Sequence, residues 1–204
     1  MKSTLSLKHS LSNIQKCIDD STEYYPVLDY SYHDAHKLEE AVSAEPRVTP
    51  GAPNIVKNGY RYNAYGINLN HNNLKGSLDT LPIFVQMTFI NPNALSILDL
   101  SFNLFTEIPI VITQFSSLKH FYFHKNLLVN LKEIHKLVLL KELEHLTLYR
   151  NPIEDDIPFL RFYVLCVLPG LKSFNRTPIN KGDLKTSGIW QQMNETLRAK
   201  ISRK

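Results

Sequence analysis

Glycine is scarce, with 7 in 204 residues. Phosphate-cradling loops need several glycines close together, so nucleotide-binding loops are excluded at the outset, and no G-x-S-x-G element is present either. Cysteine is nearly absent: Cys17 and Cys166 are the only two. Two thiols make neither a disulfide framework nor a zinc site, and a reducing compartment such as the cytoplasm is expected. Cys166 lies inside the apolar run F-Y-V-L-C-V-L, where it reads as a small buried hydrophobe. No apolar run approaches the roughly 18–20 residues that span a bilayer, so no membrane partner is expected. The opening M-K-S-T-L-S-L-K-H-S has no apolar core, and no signal peptide is expected.

What remains has the composition of an ordinary globular domain, 43% hydrophobic and 21% charged. Its charge is unevenly spread. Residues 172–204 carry a net +6, which leaves −2 on residues 1–171. A basic tail on a near-neutral body points to an acidic partner surface.

The dominant signal is a repeat. The frame L-x-x-L-x-L-x-x-N-x-L is filled by Leu95, Leu98, Leu100, Asn103 and Phe105. It is filled again by Leu118, Phe121, Phe123, Asn126 and Leu128, and by Leu143, Leu146, Leu148, Asn151 and Ile153. An earlier copy has Ala64, Ile67, Leu69, Asn72 and Leu74. The asparagines are spaced by 31, 23 and 25 residues. That is the period of a leucine-rich repeat, with an insertion within residues 79–94. One such unit cannot bury its apolar face alone, so copies must stack, their short strands forming a parallel sheet on the concave side. The recurring asparagine sits where the chain leaves the strand, and its amide is placed to satisfy buried backbone groups there. Ile108 to Leu118 and Leu131 to Leu143 read as short helices on the convex side.

The expected architecture is thus α/β, a short leucine-rich repeat solenoid of about four to five repeats. Residues 1–27 read as a flexible arm and 28–60 as an N-terminal cap helix with a proline-rich connector. Residues 61–154 are the repeats, 155–183 a C-terminal cap and 184–204 a basic helix or tail. In the N-terminal cap, Ser31 and Asp34 have capping-box spacing before Ala35, Leu38, Ala41 and Val42. In the C-terminal cap, Asp155 or Asp156 is placed to cap a helix that Pro158 opens and that stops before Pro169-Gly170. The order Arg161-x-Tyr163-Val164, then Leu168-Pro169-x-Leu171, resembles the cap of SDS22-like leucine-rich repeats, with Asn175 in place of the usual aspartate.

A wider set of pieces adds to this. L-D-Y-S before a helix, A-E-P-R, N-L-N-H-N-N-L, L-D-L-S-F-N-L, L-T-L-Y-R-N-P-I and I-W-Q-Q-M-N occur in this order between about residues 28 and 194. Together they resemble a family of small leucine-rich repeat proteins of ciliated cells. The resemblance implies a non-enzymatic component of the ciliary or flagellar axoneme, part of the cytoskeleton, held by contacts with axonemal or tubulin-based partners. Related short repeat proteins act as phosphatase regulators, dynein light chains and spliceosomal subunits, so an RNA-protein or a phosphatase/dynein-regulatory role is the alternative.

No catalytic residue, cofactor, metal or small-molecule substrate is assigned, and nucleic acid is not the expected partner. The frame instead gives the outward residues of the concave face as a protein-binding surface: Asn68, Asn70, Asp99, Phe102, His120, Tyr122, His124, Lys125, His145, Thr147, Tyr149 and Arg150. His120 and His145 share a slot in adjacent repeats and read as a surface pair. A docking tail is read at Trp190, Met193, Leu197 and Arg198, where Ile189, Met193 and Leu197 recur every four residues.

Overall fold

The computed structural model describes residues 26–47, 56–156 and 159–201, with side chains as far as Asn194 and excepting Asp156. Most of the expected arm, much of the proline-rich connector, Pro158, and the side chains of Leu197 and Arg198 lie outside the described residues.

Each L-x-L core forms a three-residue strand. These are β4 (Gly66–Asn68), β5 (Ile97–Asp99), β6 (His120–Tyr122) and β7 (His145–Thr147), numbered after β1 (Val27–Asp29) and the small hairpin β2 (Lys57–Asn58) and β3 (Arg61–Tyr62). Ser173–Phe174 is β8 and Thr177–Pro178 is β9. The sheet order is β1-β4-β5-β6-β7-β8-β9, parallel as far as β8, after which β9 turns back antiparallel. The register keeps frame slots opposite one another: Ile67, Leu98, Phe121 and Leu146 align and are fully buried. A second inward row, Leu69, Leu100, Phe123 and Leu148, is buried beneath them. Each such side chain contributes about 1.5–3 kcal/mol of burial.

β1 is a strand that the apolar frame alone does not give. Leu28 pairs with Ile67 in register, and Leu28, Tyr30 and Ala35 are buried in the slots held elsewhere by leucine, isoleucine or phenylalanine. His33 stands where the other copies have asparagine, and its backbone N–H donates to Asn72 Oδ1 at 3.0 Å. The capping box expected of Ser31 and Asp34 does not form. Ser31 bonds Asp29 instead, and the helix α1 is one turn, Leu38–Ala41, with Glu40 accepting from the backbone of His36 and Lys37.

The four asparagines hold the coils together. Asn103 Nδ2 donates to Leu69 O, Leu100 O and Ser101 O, and its Oδ1 accepts from Leu74 N, all at 3.0–3.1 Å. Asn72, Asn126 and Asn151 likewise tie their own coil to the preceding one. The insertion at residues 79–94 holds the helix α2 (Leu81–Thr88) and a 3-10 turn, Pro92–Ala94. The return segments expected as helices are 3-10 helical, at Ile110–Gln114 and Leu131–Leu139. A 3-10 helix rises about 2.0 Å per residue, so it spans the convex side with fewer residues than an α-helix.

At the far end, α3 (Pro152–Asp156) contains both aspartates, and a separate helix α4 (Leu160–Val167) starts after Phe159 at φ 68° with no side-chain cap. The aspartates therefore end one helix rather than open the next. Arg161 fastens the cap by donating to Phe174 O, Pro178 O and Asp183 Oδ2. Asn175 Oδ1 accepts from Leu148 N and Tyr149 N at 2.7 and 3.1 Å, work that needs only an acceptor oxygen and that an aspartate would also do. The helix α5 (Lys181–Ile201) packs on α4 through Trp190 edge-on to Tyr163, and through Ser187 O, which accepts from Cys166 Sγ.

Candidate protein-binding face

The outward side chains of the sheet fall into rows that cross the repeats. The first row runs Val27, Gly66, Ile97, His120, His145. It is closed rather than open. A Cβ on Gly66 would lie 2.9 Å from both Ile97 and Val27, so only glycine fits between them. His120 and His145 stack with ring centroids 4.4 Å apart and 6° between planes. His120 is only 5% exposed, so the two are not the surface pair that the frame alone gives. His145 Nδ1 lies 2.7 Å from Ser173 Oγ. Among the described residues, no three His, Cys, Asp or Glu side chains converge to hold a metal ion.

The second and third rows divide at mid-sheet. On the N-terminal side, Asp29 Oδ1 accepts from Ser31 N and Oγ and from Asn68 Nδ2. Asp99 repeats the arrangement, accepting from Ser101 N, Ser101 Oγ and Asn70 Nδ2 at 2.8, 2.6 and 3.1 Å. Asn68 Oδ1 does the same for the backbone of Asn70. These groups are occupied within the sheet. Burial raises the Asp99 pKa, against the opposing pull of the Ser101 bonds. On the C-terminal side, His124 and Thr147 are 4% and 2% exposed and bonded to each other at 2.9 Å. Burial, reinforced by Arg176, Lys125, His71 and Arg150, lowers the His124 pKa to about 4, so the imidazole is neutral at physiological pH. Tyr122 and Tyr149 are half-buried, with Tyr149 stacked on His124 at 4.3 Å.

The fourth row forms the turn edge. Tyr32, His71, Phe102, Lys125 and Arg150 all adopt positive φ, between 51° and 58°, in the same slot of five consecutive coils. Each of the first four donates its N–H to the next coil, as Phe102 N does to His124 O at 2.9 Å, so the ladder itself imposes this conformation. Their side chains stack: Tyr32 on His71 at 4.3 Å, and His71 on Phe102 at 3.8 Å. Arg47 caps one end over Tyr32, and Lys125 Nζ caps the other, 4.1 Å from the Phe102 centroid. Arg150 is exposed beyond this stack.

Of the residues expected on the binding face, the structure brings Phe102, Tyr122, Lys125, Tyr149 and Arg150 together on its C-terminal half. It places Asn68, Asn70 and Asp99 in the internal network, and buries His120, His124 and Thr147. Trp190 packs on the cap, whereas Met193 is exposed. Arg47, Tyr32 and Arg176 belong to the edge and are not marked by the repeat frame. The first two lie in the coil whose asparagine is replaced, and Arg176 follows the last full repeat.

No family model matches the chain. It is 36% identical over 169 residues to leucine-rich repeat-containing protein 51 of Macaca mulatta, covering 83% of this chain and 86% of that protein. The Homo sapiens protein of the same name is 35% identical over the same shares, and that of Mus musculus 34% over 82% and 86%. Among solved structures, the chain superposes on the Drosophila melanogaster SNF/U2A' complex with a TM-score of 0.53 at 18% identity, over 85% of this chain and 86% of that one. That likeness is one of fold. With the repeat ladder, the two caps and these relatives, the chain belongs to the leucine-rich repeat-containing protein 51 family and is a leucine-rich repeat module for protein interaction.

Proposed function

We propose that the chain is a non-enzymatic adaptor of the ciliary or flagellar axoneme, gripping a partner protein with the C-terminal half of its concave face. The observation that carries the grip is the division of that face. Its N-terminal polar groups bond one another, while aromatic and cationic side chains gather around Tyr122, Tyr149, Lys125 and Arg150. Such residues are the usual anchors of protein interfaces. The axonemal setting rests on the resemblance to proteins of ciliated cells, and is the finer part of the proposal.

A spliceosomal role would follow the solved neighbour, but a fold likeness does not transfer a partner. Nor is the concave face basic and aromatic along its whole length, as an RNA-binding face would be. Salt extraction of isolated axonemes followed by mass spectrometry tests the setting. The chain is expected in the axonemal fraction, with cross-links from Lys125 to a neighbouring protein. Its absence from that fraction would overturn the axonemal reading.

A further inference from the structure

Non-glycine residues in the left-handed region cost roughly 1–2 kcal/mol each, so a large side chain held there needs a reason. For Tyr32, His71 and Phe102 the reason is mutual stacking, and for Lys125 it is the ring of Phe102. Arg150, in the same slot at φ 57°, has no such contact among the described residues; its backbone N–H donates to Glu154 Oε2 at 2.7 Å. Arg176, at φ 62°, is also exposed.

These cations converge. Lys125 and Arg150 hold the same slot of adjacent coils, so their backbones are about 5 Å apart by strand spacing. Asn175 bonds the backbone of Tyr149, which sets Arg176 beside them. All three cations act on the one imidazole of His124. None forms an ion pair with a described carboxylate, whereas Arg47, Lys57, Lys136, Arg161 and Lys172 each do.

Resting on the reading of this face as a protein-binding surface, we infer that Lys125, Arg150 and Arg176 seat an acidic, extended segment of the partner. Its carboxylates meet the three cations and an aromatic residue lies against Tyr149. Charge complementarity selects this occupant. A nucleic-acid strand carries a phosphate at every unit and wants positive potential along its whole track. Here the track runs instead into Asn68, Asp99 and Asp29 on the neighbouring coils.

The test uses the full chain and a fluorescein-labelled peptide of glutamates around one tyrosine, read by anisotropy. Replacing the three cations together, Lys125→Gln, Arg150→Gln and Arg176→Gln, is expected to weaken binding roughly tenfold or more. The charge-matched set Lys75→Gln, Lys132→Gln and Lys141→Gln, all exposed and away from the edge, is expected to change it by less than about twofold. Circular dichroism and melting of both sets establish that they fold. Equal loss in the two sets would overturn the inference, as would loss only on replacing Lys181 and Lys185 of α5. So would tighter binding of a uridine homopolymer that the edge substitutions abolish. Failure of the peptide with the chain still in the axonemal fraction would leave the adaptor reading standing and remove only this site.

Discussion

In the first coils of the sheet the outward polar side chains bond one another; at the turn edge of the last coils, Lys125, Arg150 and Arg176 pair with no carboxylate among the described residues. Asp29, Asn68 and Asp99 each hold the residue two places on, and the aspartates bind an asparagine amide across the strands. Lys125, Arg150 and Arg176 sit on the same backbone ladder without such neighbours. The repeat frame therefore fixes where an outward side chain stands, but its use is set by the adjacent coil. One half of the face stiffens the solenoid, and the other is the half proposed to hold a partner.

The largest test of that contrast removes what the halves share. Asn103→Ala deletes four buried hydrogen bonds and strands backbone groups of two coils, which should cost about 4 kcal/mol in urea unfolding. Asn151→Ala should cost a similar amount, since it makes the same kind of bonds at the other end. A much smaller loss at Asn151 would show that the C-terminal coils are not held by the common ladder.

The next effect belongs to the C-terminal half. Burial and then the nearby cations hold His124 at about 4 in the folded chain, against about 6.5 when unfolded. Between these values the unfolded state binds more protons, so stability rises with pH. The contribution is complete above the unfolded value and is lost as pH falls through the folded one, about 3 kcal/mol in all. His124→Phe keeps the ring that stacks on Tyr149 and should flatten this slope in unfolding curves taken from pH 7 to 4. Asp99, shifted the other way by burial, is present in both proteins and cancels in the difference.

A smaller effect separates stiffening from binding. Asp99→Ala strands the Ser101 N–H and frees the Asn70 amide, and should cost about 2 kcal/mol of stability. Partner affinity, measured on the folded variant, should stay within about twofold of the parent. A large loss of affinity would move Asp99 onto the interface.

The sequence made the ladder legible because its apolar slots and asparagines recur within one chain. β1 escaped that frame because Tyr30 and His33 replace the expected leucine and asparagine. A second signal was present all the same: Leu28-Asp29-Tyr30-Ser31 repeats the Leu98-Asp99-Leu100-Ser101 pattern, and both aspartates bond their serines alike. The rows of the concave face were also legible. Burial within them was not, because what covers His120 or His124 is a ring from another coil, twenty-odd residues away. Arg176 could not be placed by the frame at all, since its position depends on the hairpin of β8 and β9.

The finest test uses one slot and one substitution on both sides of the divide. Phe102 and Arg150 share the left-handed conformation, at φ 54° and 57°. Glycine relieves that strain at either place, but gives the unfolded chain more freedom to lose. At Phe102 it also deletes the stack on His71, the contact with His124 and the seat of Lys125, so Phe102→Gly should lose about 2 kcal/mol. At Arg150 no side-chain contact with the described residues is lost, and Arg150→Gly should melt at the same temperature or higher, a gain of at most about 1 kcal/mol. Its affinity for the acidic peptide should fall all the same. A side chain that lowers stability and raises affinity is held for a partner; if Arg150→Gly destabilised the chain as much as Phe102→Gly, Arg150 would be one more rung of the stack.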